Sequence, residues 1–363
     1  MNDASNPQIT ASSYASDEGA LLVGVDLGTS RSTIASINGI RKMVESYVGW
    51  PKDAVSLRHL KKNIVFGTEA LENRLSLRLY RPLEKGVLKH TLEDEEKNEV
   101  TDEVMGNKQA ARELVRHLVH LAEPERDQKV YGVVGVPAQA SIKSKQALIE
   151  ACKDSMEAVM LVSQPFAVAY GLGMLDGSMV VDIGAGTIDI CRMHGTVPAD
   201  EDQISLQTAG DQIDRKFHEM LHKRYPDAQF TVNMLKRIKE SHAFVAGQVE
   251  RVKVTFPSSG RPTEYDVTDD LKAASESIIT DVSNALRQLI ASFDPEFQTK
   301  LSTNILLSGG GSQIIGLAGR IKDELHDLGH VNVRSIEEPL YAGANGALQL
   351  AIDMPDEFWQ KLR

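Results

Sequence analysis

The sequence predicts a two-lobed α/β protein, and three observations lead to this prediction. The chain has 363 residues, more than the roughly 100–200 residues of one ordinary domain, so two domains or one large two-lobed unit are expected. Apolar strand-like runs alternate with amphipathic helical stretches, as in α/β proteins. A strand–Asp–Gly hairpin pattern occurs twice, and Asp182 of the second copy follows Asp26 of the first by 156 residues.

Composition excludes several classes of protein. A hydrophobic content of 42% and a charged content of 25% indicate a globular chain. The net charge of −11 and the lack of a basic tract argue against nucleic-acid binding. Only two cysteines occur, Cys152 and Cys191, which excludes a disulfide scaffold and predicts a reducing, cytoplasmic compartment. No window reaches the roughly 18–20 apolar residues of a membrane span, so no direct membrane insertion is expected.

Two segments are expected to lie outside the folded core. Residues 1–20 are rich in Ser, Asn, Asp and Ala and lack the apolar region of a secretory signal, so they predict a disordered tail. The run from Leu92 to Glu103 holds seven carboxylates and predicts a solvated loop between elements.

The first copy of the hairpin pattern starts at the apolar strand Leu21–Asp26. The residues Gly28, Thr29 and Ser30 follow, then a second strand, Thr33–Ile37, and the turn pair Asn38-Gly39. An Asn-Gly pair between strand-like runs is a strong hairpin signal, because both residues tolerate positive φ.

The second copy has the same order of features. Ser178–Asp182 is again an apolar strand ending in a carboxylate, and a strand Ile188–Met193 and the turn His194-Gly195 follow. Between them lie Gly184, Ala185, Gly186 and Thr187. One such hairpin is weak evidence of function, whereas two copies in the same order are much more specific.

Phosphate binding is the chemistry that suits this pattern. Glycine lets backbone amides approach an oxyanion closely, and neighbouring Thr and Ser hydroxyls add donors. A carboxylate beside a triphosphate is repulsive unless a cation lies between them, and Mg²⁺ usually keeps its waters and binds through one or two carboxylates. The two turns are therefore expected to hold a magnesium-bound nucleotide from opposite sides.

A third glycine-rich segment, Asn304–Gly316, also suits a nucleotide site. It comprises a strand-like run, the residues Gly309, Gly310, Gly311 and Ser312, and then an apolar helix-like stretch. A strand, a glycine turn and a helix start direct a helix dipole toward anionic groups. The segment lacks the Gly-Lys-Ser/Thr of a Walker loop and the Gly-x-Gly-x-x-Gly spacing of dinucleotide binders.

These three motifs in this order resemble the actin–heat-shock chaperone–sugar kinase superfamily, from about Leu21 to the C-terminus. The resemblance implies a two-lobed ATPase of duplicated ribonuclease H-like domains, with ATP and Mg²⁺ in the central cleft. It implies a domain I of residues 21–173 plus 341–363, with an insert at about 53–93. Domain II would span 174–340, with an insert at about 209–271. Connecting helices would fall near Ala138–Tyr170 and Tyr341–Leu348.

The resemblance also implies roles for single residues. Asp26 and Asp182 would hold the metal through water, and Asp182 would also lie near the attacking water. The segment Arg237–Ala246 resembles the actin segment that contacts the nucleoside, which places Lys239 on the adenosine side and Glu240 at the ribose hydroxyls. A carboxylate suits vicinal hydroxyls, because its two oxygens can accept both hydrogen bonds.

Within the superfamily the chain resembles the bacterial actins, and among them the magnetosome-associated filament proteins. The segments Val48–Asp53, Gly135–Ser141 and His194–Gln203 resemble that group. The resemblance implies ATP-dependent polymerisation into cytoplasmic filaments that organise magnetosome chains. Its partners would be other copies of the chain, a related actin-like protein as a co-polymer, and magnetosome-associated adaptor proteins. The sequence leaves the choice between ATP and GTP open.

One residue departs from the bacterial pattern. Bacterial actins usually carry glutamate, which positions or activates the hydrolytic water, where this chain has Gln164. Glutamine cannot accept a proton as a base, but its amide can orient water, as in some GTPases. We therefore expect ATP hydrolysis that is slower than in a glutamate-bearing relative.

Two alternative functions remain open from the residues. One is a non-polymerising phosphotransferase of the same fold. The other, more remote, is a zinc metalloprotease, because His218, Glu219 and His222 match His-Glu-x-x-His, with Glu240 as a third ligand. The competing interpretation of that motif is the polar side of a surface helix, Asp214–Arg224.

Two helices are predicted from apolar residues spaced three and four apart. One spans Ala273–Phe293 and the other Asn107–Ala122. Both are expected to pack an apolar stripe on a core.

Overall fold

The computed structural model describes residues 19–89, 102–247 and 250–363. Residues 1–18 of the expected tail and residues 92–101 of the acidic run lie outside these described residues. Asp102 and Glu103, which end that run, form the first turn of a helix. In the described ranges, no helix combines the length and the apolar character needed to cross a membrane.

Five strands form the first sheet. They are β1 Leu21–Leu27, β2 Arg31–Ser36, β3 Arg41–Glu45, β9 Val130–Val136 and β10 Ala158–Ser163. Their order is β10-β9-β1-β2-β3. β1 is parallel to β9 and antiparallel to β2, and β10 is parallel to β9. The central strands β1 and β9 read as continuous apolar runs because the sheet is covered on both faces.

The second sheet repeats this plan. Its strands are β11 Asp176–Ile183, β12 Ile188–His194, β13 Gln203–Leu206, β16 Ile305–Ser308 and β17 Val333–Ser335. Their order is β13-β12-β11-β16-β17. β11 pairs antiparallel with β12 and parallel with β16, as β1 does with β2 and β9. The duplication predicted for one hairpin therefore extends over all five strands of each sheet.

Each lobe carries a smaller unit beside its sheet. In the first lobe this unit comprises β4 Val48–Pro51, α1 Ala54–Leu60, β5 Val65–Phe66, α2 Gly67–Glu72, β6 Leu77–Tyr80, β7 Leu83–Glu84 and β8 Val87–Leu88. In the second lobe it comprises α6 Gly210–Arg224, α7 Val232–His242, β14 Lys253–Ser258, β15 Arg261–Asp266 and α8 Thr268–Glu276. The domain boundaries given above stay a prediction.

The remaining helices cover the sheets. They are α3 Asp102–Leu121, α4 Ile142–Cys152, α5 Gln164–Gly171, α9 Ile279–Ala291, α10 Pro295–Ser302, α11 Leu317–Glu324, α12 Ala342–Asp353 and α13 Asp356–Lys361. Two of them lie where the lobes meet. α5 buries Phe166 and Val168 in a core with strands of the second sheet, and α12 buries Ala347 and Ala351 in a core with the first sheet.

Glycines allow these two helices to approach each other closely. A Cβ added to Gly346 of α12 would collide with the carbonyl oxygen of Ala167 in α5. A Cβ added to Gly171 at the end of α5 would lie 2.7 Å from the Cα of Gly346. The joint between the lobes is therefore a backbone-to-backbone contact.

Two expectations about helices need correction. The predicted single helix Ala273–Phe293 is two helices, α8 and α9, separated at Ser277 and Ile278. The hydroxyl of Ser277 donates to the carbonyl of Ala274, so it competes with the helical bonding pattern. The helix after the third glycine segment also begins later than expected, because a 3-10 turn at Gly310–Gln313 precedes α11.

Candidate functional site

The turns of the two duplicated hairpins face each other across a cavity of about 670 Å³. This volume falls in the range of small-molecule sites, roughly 300–1,000 Å³. Residues of both lobes form its walls. The predicted site residues found there are Asp26, Gly28, Thr29, Ser30, Gln164, Asp182, Gly184, Ala185, Gly186, Thr187, Lys239, Glu240, Gly309, Gly310 and Gly311.

In both turns a side chain in place of glycine would meet nearby backbone atoms. A Cβ added to Gly28 would collide with the carbonyl oxygen of Arg31. At Gly184 it would lie 3.1 Å from the carbonyl oxygen of Thr187, which accepts a hydrogen bond from the Gly184 N–H at 3.0 Å. These turns therefore expose backbone toward the cavity, as an oxyanion site needs.

The two lobes also touch between the turns. A Cβ added to Gly186 of the second lobe would lie 2.7 Å from the Cα of Lys85, in the β7–β8 turn of the first lobe. The Thr29 hydroxyl, itself in the first turn, accepts a hydrogen bond from the Gly86 N–H at 2.9 Å. The first lobe therefore reaches the second turn through its β7–β8 hairpin.

Three carboxylates lie close together at the two hairpins, and two of them, Asp26 and Asp182, line the cavity. Asp26 and Asp182 end β1 and β11, and Asp189 on β12 lies directly opposite Asp182 in the strand register. In the first hairpin Thr33 occupies the position that corresponds to Asp189. Within the described residues none of the three carboxylates has an ion-pair partner.

Burial makes the ionised forms of these carboxylates costly. It is the largest cause that raises the pKa of Asp26 and of Asp182. The charge of Asp189 raises the pKa of both, and the charge of Asp26 raises that of Asp182 further. Burial also raises the pKa of Asp189, against hydrogen bonds from the Ala138 N–H at 2.9 Å and from the Ser205 hydroxyl. A cation between them would offset this repulsion.

The donor set fits a hydrated magnesium ion shared with phosphate. In the part of the chain that the structure describes, no group of three or more His, Cys, Asp or Glu side chains could hold a metal. A dedicated protein cage is therefore not what these residues build. Magnesium instead binds through one or two carboxylates, its own waters and phosphate oxygens, and Asp26 and Asp182 would supply the carboxylates.

Gln164 lies at the start of α5 and is buried. Its side-chain amide donates to Oδ1 of Asp26 at 2.5 Å, which lowers the pKa of that carboxyl against the effect of burial. The predicted water-orienting residue therefore lies beside Asp26, which is one of the two predicted metal ligands.

Ser312 is the predicted site residue that the structure turns away from the cavity. Its hydroxyl is buried and donates to the carbonyl of Gly309 at 2.7 Å, so it stabilises the glycine turn. Gly309 has a φ of 75°, and a Cβ there would lie 2.9 Å from Oδ1 of Asp182. The third segment therefore packs backbone against the second carboxylate, and Ser312 acts within the turn.

Lys239 and Glu240 line the cavity but already have protein partners. The Lys239 ammonium donates to the Gly210 carbonyl at 2.7 Å and forms an ion pair with Asp214 at 2.7 Å. Glu240 accepts from the Arg31 guanidinium of the first lobe at 2.7 Å. Lys239 thereby fixes the start of α6 against α7, and Glu240 joins the two lobes.

Several lining residues were not predicted from the sequence. Asp189, which pairs with Asp182 in the strand register, was not predicted either, because the first hairpin has Thr33 at the corresponding position. Lys236, Glu45, Arg31 and Asp211 gave no signal, because their significance comes from contacts between segments far apart in the chain.

The His-Glu-x-x-His motif lies on α6, as the alternative interpretation expected. The rings of His218 and His222 are 6.2 Å apart, and His218 also packs edge-on against Phe230. Glu240, the suggested third ligand, is bound to Arg31. Among the residues that the structure describes, the motif gains no third ligand. The geometry therefore favours the polar side of a helix as the interpretation.

Comparisons with known proteins agree with this architecture. A family model described as MreB/Mbl protein matches residues 21–357. The actin-like protein MamK of Paramagnetospirillum magneticum is 38% identical over 342 residues, which cover 94% of this chain and 95% of that protein.

Two solved structures are similar to the whole fold. The MamK double helical filament gives a TM-score of 0.87 at 38% identity and covers 93% of this chain and 100% of its own. A non-polymerising MamK mutant bound to AMPPNP gives a TM-score of 0.68 at 38% identity, and the match covers 92% of this chain and 99% of that chain. The predicted actin-like fold is confirmed by these matches, and because the family model spans nearly all of the described chain, the protein belongs to the MreB/Mbl family of actin-like proteins.

Proposed function

We propose that this chain is an actin-like cytoskeletal ATPase that binds Mg-ATP in the cleft and polymerises into filaments. The observation that carries the proposal is the pair of glycine turns, facing each other over buried carboxylates with raised pKa values. A triphosphate with its cation supplies what this site lacks, namely anionic oxygens for the backbone amides and positive charge for the carboxylates. The AMPPNP bound to a MamK relative supports a nucleotide as the ligand.

Different residues of the chain would bind the phosphates, the cation and the ribose. The turns at Gly28–Ser30 and Gly184–Thr187 provide backbone amides and hydroxyls for phosphate oxygens. Asp26 and Asp182 orient the waters of the cation, which when bound neutralises charge on the terminal phosphate. Glu240 offers a carboxylate to the ribose side, and Lys239 positions the helices that carry it.

Hydrolysis requires a water held close to the terminal phosphate. Asp182 is the carboxylate nearest the third glycine turn, and Gln164 is fixed by its bond to Asp26. An amide so placed orients water by donating and accepting hydrogen bonds, but it cannot remove a proton. We propose slow hydrolysis on this ground.

The cellular role rests on kinship with MamK proteins. We propose that filaments of this chain lie in the cytoplasm and organise magnetosome chains through adaptor proteins, and that a related actin-like protein can join the polymer. The matching MamK filament structure supports self-assembly as the primary interaction.

Sedimentation and light scattering against protein concentration test the proposal. With Mg-ATP we expect a sharp critical concentration and a pellet of filaments visible by electron microscopy, and GTP in a parallel series measures nucleotide preference. Activity strictly proportional to protein concentration, with no pellet at any concentration, would instead favour the non-polymerising phosphotransferase.

A further inference from the structure

Four charged side chains form a ring across the mouth of the cleft, which we call the charge clamp: Arg31, Glu45, Lys236 and Glu240. Arg31 of β2 donates to Glu45 of β3 at 2.9 Å and to Glu240 of α7 at 2.7 Å. Lys236 of α7 donates to Glu45 at 3.2 Å and lies 3.9 Å from Glu240. Two members belong to the first lobe and two to the second, and the charges alternate around the ring.

The charge clamp is continuous with the first phosphate turn. The Lys236 ammonium also donates to the Ser30 hydroxyl at 2.6 Å. The side chains of the clamp are only 14–30% exposed, so solvent screens them less than it screens an ordinary surface pair.

A second contact between the lobes lies beside it. Arg81, which follows β6 in the first lobe, donates to the Thr29 carbonyl at 2.8 Å and to Asp211 at 2.7 Å. Asp211 is in the first turn of α6 in the second lobe. Arg81 thus links the first phosphate turn to the opposite wall of the cavity.

These contacts oppose opening of the cleft. The chain crosses between the two sheets after α5 and again before α12, and these helices form the tight joint described above. A rotation of the lobes about that joint separates β2 and β3 from α7, and Arg81 from α6. Every member of the charge clamp lines the cavity, so a ligand that leaves between the lobes passes these pairs.

We infer that the charge clamp and the Arg81–Asp211 pair hold the lobes closed over bound nucleotide and thereby set its rate of release. This inference rests on the proposed nucleotide binding. The fold as a whole matches the MamK filament with a TM-score of 0.87 and the AMPPNP-bound mutant with 0.68, at the same identity.

Release of etheno-ATP, a fluorescent ATP modified on the base, tests the inference in the presence of Mg²⁺. Below the critical concentration we expect Glu45→Gln to release it about twofold to fivefold faster than wild type, as the loss of the Glu45–Lys236 pair between the lobes predicts. The matched control is Lys253→Met. This substitution breaks the ion pair with Glu264 inside the β14–β15 hairpin, which does not connect the two lobes. The control is expected to release at the wild-type rate.

A double-mutant cycle separates a coupled pair from two independent effects. Arg81→Gln and Asp211→Asn are each expected to speed release, and the double variant is expected to be no faster than the faster single variant. Raising the salt concentration from 0.05 to 0.5 M should speed release from wild type more than from Glu45→Gln, because that variant has already lost the screened interaction. Fully additive effects and equal salt responses would contradict the inference.

Lobe opening without nucleotide provides a second measurement. Spin labels are attached at Arg58→Cys on α1 and Lys223→Cys on α6. Pulsed electron paramagnetic resonance then measures the distance between the two labels, which reports the separation of the lobes. The native Cys152 and Cys191 are buried, and burial raises the pKa of Cys152 to about 12, so neither competes for the label. Glu45→Gln is expected to lengthen and broaden the distance distribution, and Lys253→Met is not.

The outcomes distinguish the two proposals. If wild type fails to bind etheno-ATP with Mg²⁺, the proposed function is wrong. If wild type binds it, but Glu45→Gln and Arg81→Gln release it at the wild-type rate with unchanged label distances, the proposed function stands and the role of the charge clamp is wrong.

Discussion

At the scale of single residues, the cleft is defined by carboxylates that the fold buries without an opposing charge. Asp26 and Asp182 end the central strands of their sheets, and Asp189 adds a third negative charge across the hairpin. Ionised carboxylates are strongly disfavoured in such surroundings. The site therefore costs stability in the absence of a cation, and that cost can be measured.

Replacing Asp182 with asparagine should stabilise the nucleotide-free protein at neutral and alkaline pH. The folded-state pKa of Asp182 is raised, so the folded state keeps a proton that the unfolded state has lost. Stability contributed in this way is present at low pH and is lost as the pH rises from the ordinary carboxyl range through the raised pKa. We expect the free energy of unfolding of Asp182→Asn to exceed that of wild type by about 1 kcal/mol or more at pH 8, and to depend less on pH.

Thermal unfolding midpoints at pH 5, 6.5 and 8 check this prediction. Asp266→Asn is a control of opposite sign, because Arg251 and Thr268 lower the pKa of Asp266, so this variant should be less stable than wild type at pH 8. Asp182→Asn should also lose nucleotide binding. A variant that binds Mg-ATP normally and shows the wild-type pH dependence would remove Asp182 from the site.

Gln164 gives a second residue-scale prediction. Gln164→Ala removes the amide beside Asp26 and should lower phosphate release by at least about tenfold. Gln164→Glu supplies a base and should hydrolyse faster than wild type, but only with Mg²⁺, because the new carboxylate lies against Asp26. Gln349→Ala is the control, since Gln349 bonds to Asp353 within α12. Equal phosphate release from Gln164→Ala and wild type would exclude Gln164 from the mechanism.

At the scale of elements, the contact between α5 and α12 decides how the lobes are joined. Gly171 and Gly346 let the two helices meet through their backbones, and Gly24 of β1 likewise leaves no room for a side chain beneath α12. A helix pair this close transmits a shift of one lobe to the other, because neither side has a flexible side chain that could absorb it.

Gly346→Ala should destabilise the protein by about 1–3 kcal/mol, because the added methyl group overlaps the Ala167 carbonyl. The matched control is Gly319→Ala in α11, where an added Cβ would have no heavy atom within 4 Å. That substitution should stabilise the protein by about 0.5–1 kcal/mol, because alanine is the better helix former. Urea unfolding midpoints compare the two, and equal shifts would argue against a tight α5–α12 joint.

At the scale of the whole molecule, the lobes have separate hydrophobic cores but share the walls of one cavity. A ligand that contacts both lobes should therefore couple their unfolding. A ligand that binds only the folded state raises the free energy of unfolding. The increase is about 2.7 kcal/mol when the ligand concentration is one hundred times the dissociation constant.

Mg-ATP is expected to raise the thermal midpoint and to merge the unfolding of the two lobes into one transition. ATP with excess chelator should stabilise far less, because the triphosphate then meets Asp26 and Asp182 without a cation between them. Differential scanning calorimetry with Mg²⁺ alone as the control measures both effects. Equal stabilisation by ATP with and without Mg²⁺ would contradict the role given to the two carboxylates.

The sequence by itself determined the parts of the fold that depend on neighbouring residues. The strand ending at Asp26, the Asn38-Gly39 turn and the repeat at Asp182 could be predicted because periodicity, turn chemistry and glycine geometry act over a few residues. The order of these motifs then indicated the actin-like family and fifteen of the residues that line the cavity.

Only the tertiary structure decided which partner each polar group takes. The bond between Arg31 and Glu240 joins residues 209 positions apart. The ion pair of Lys239 with Asp214 joins two helices beside the cavity that Lys239 lines. Hydrogen bonds and ion pairs form over about 3 Å, and a sequence pattern does not specify distances between remote segments to that accuracy.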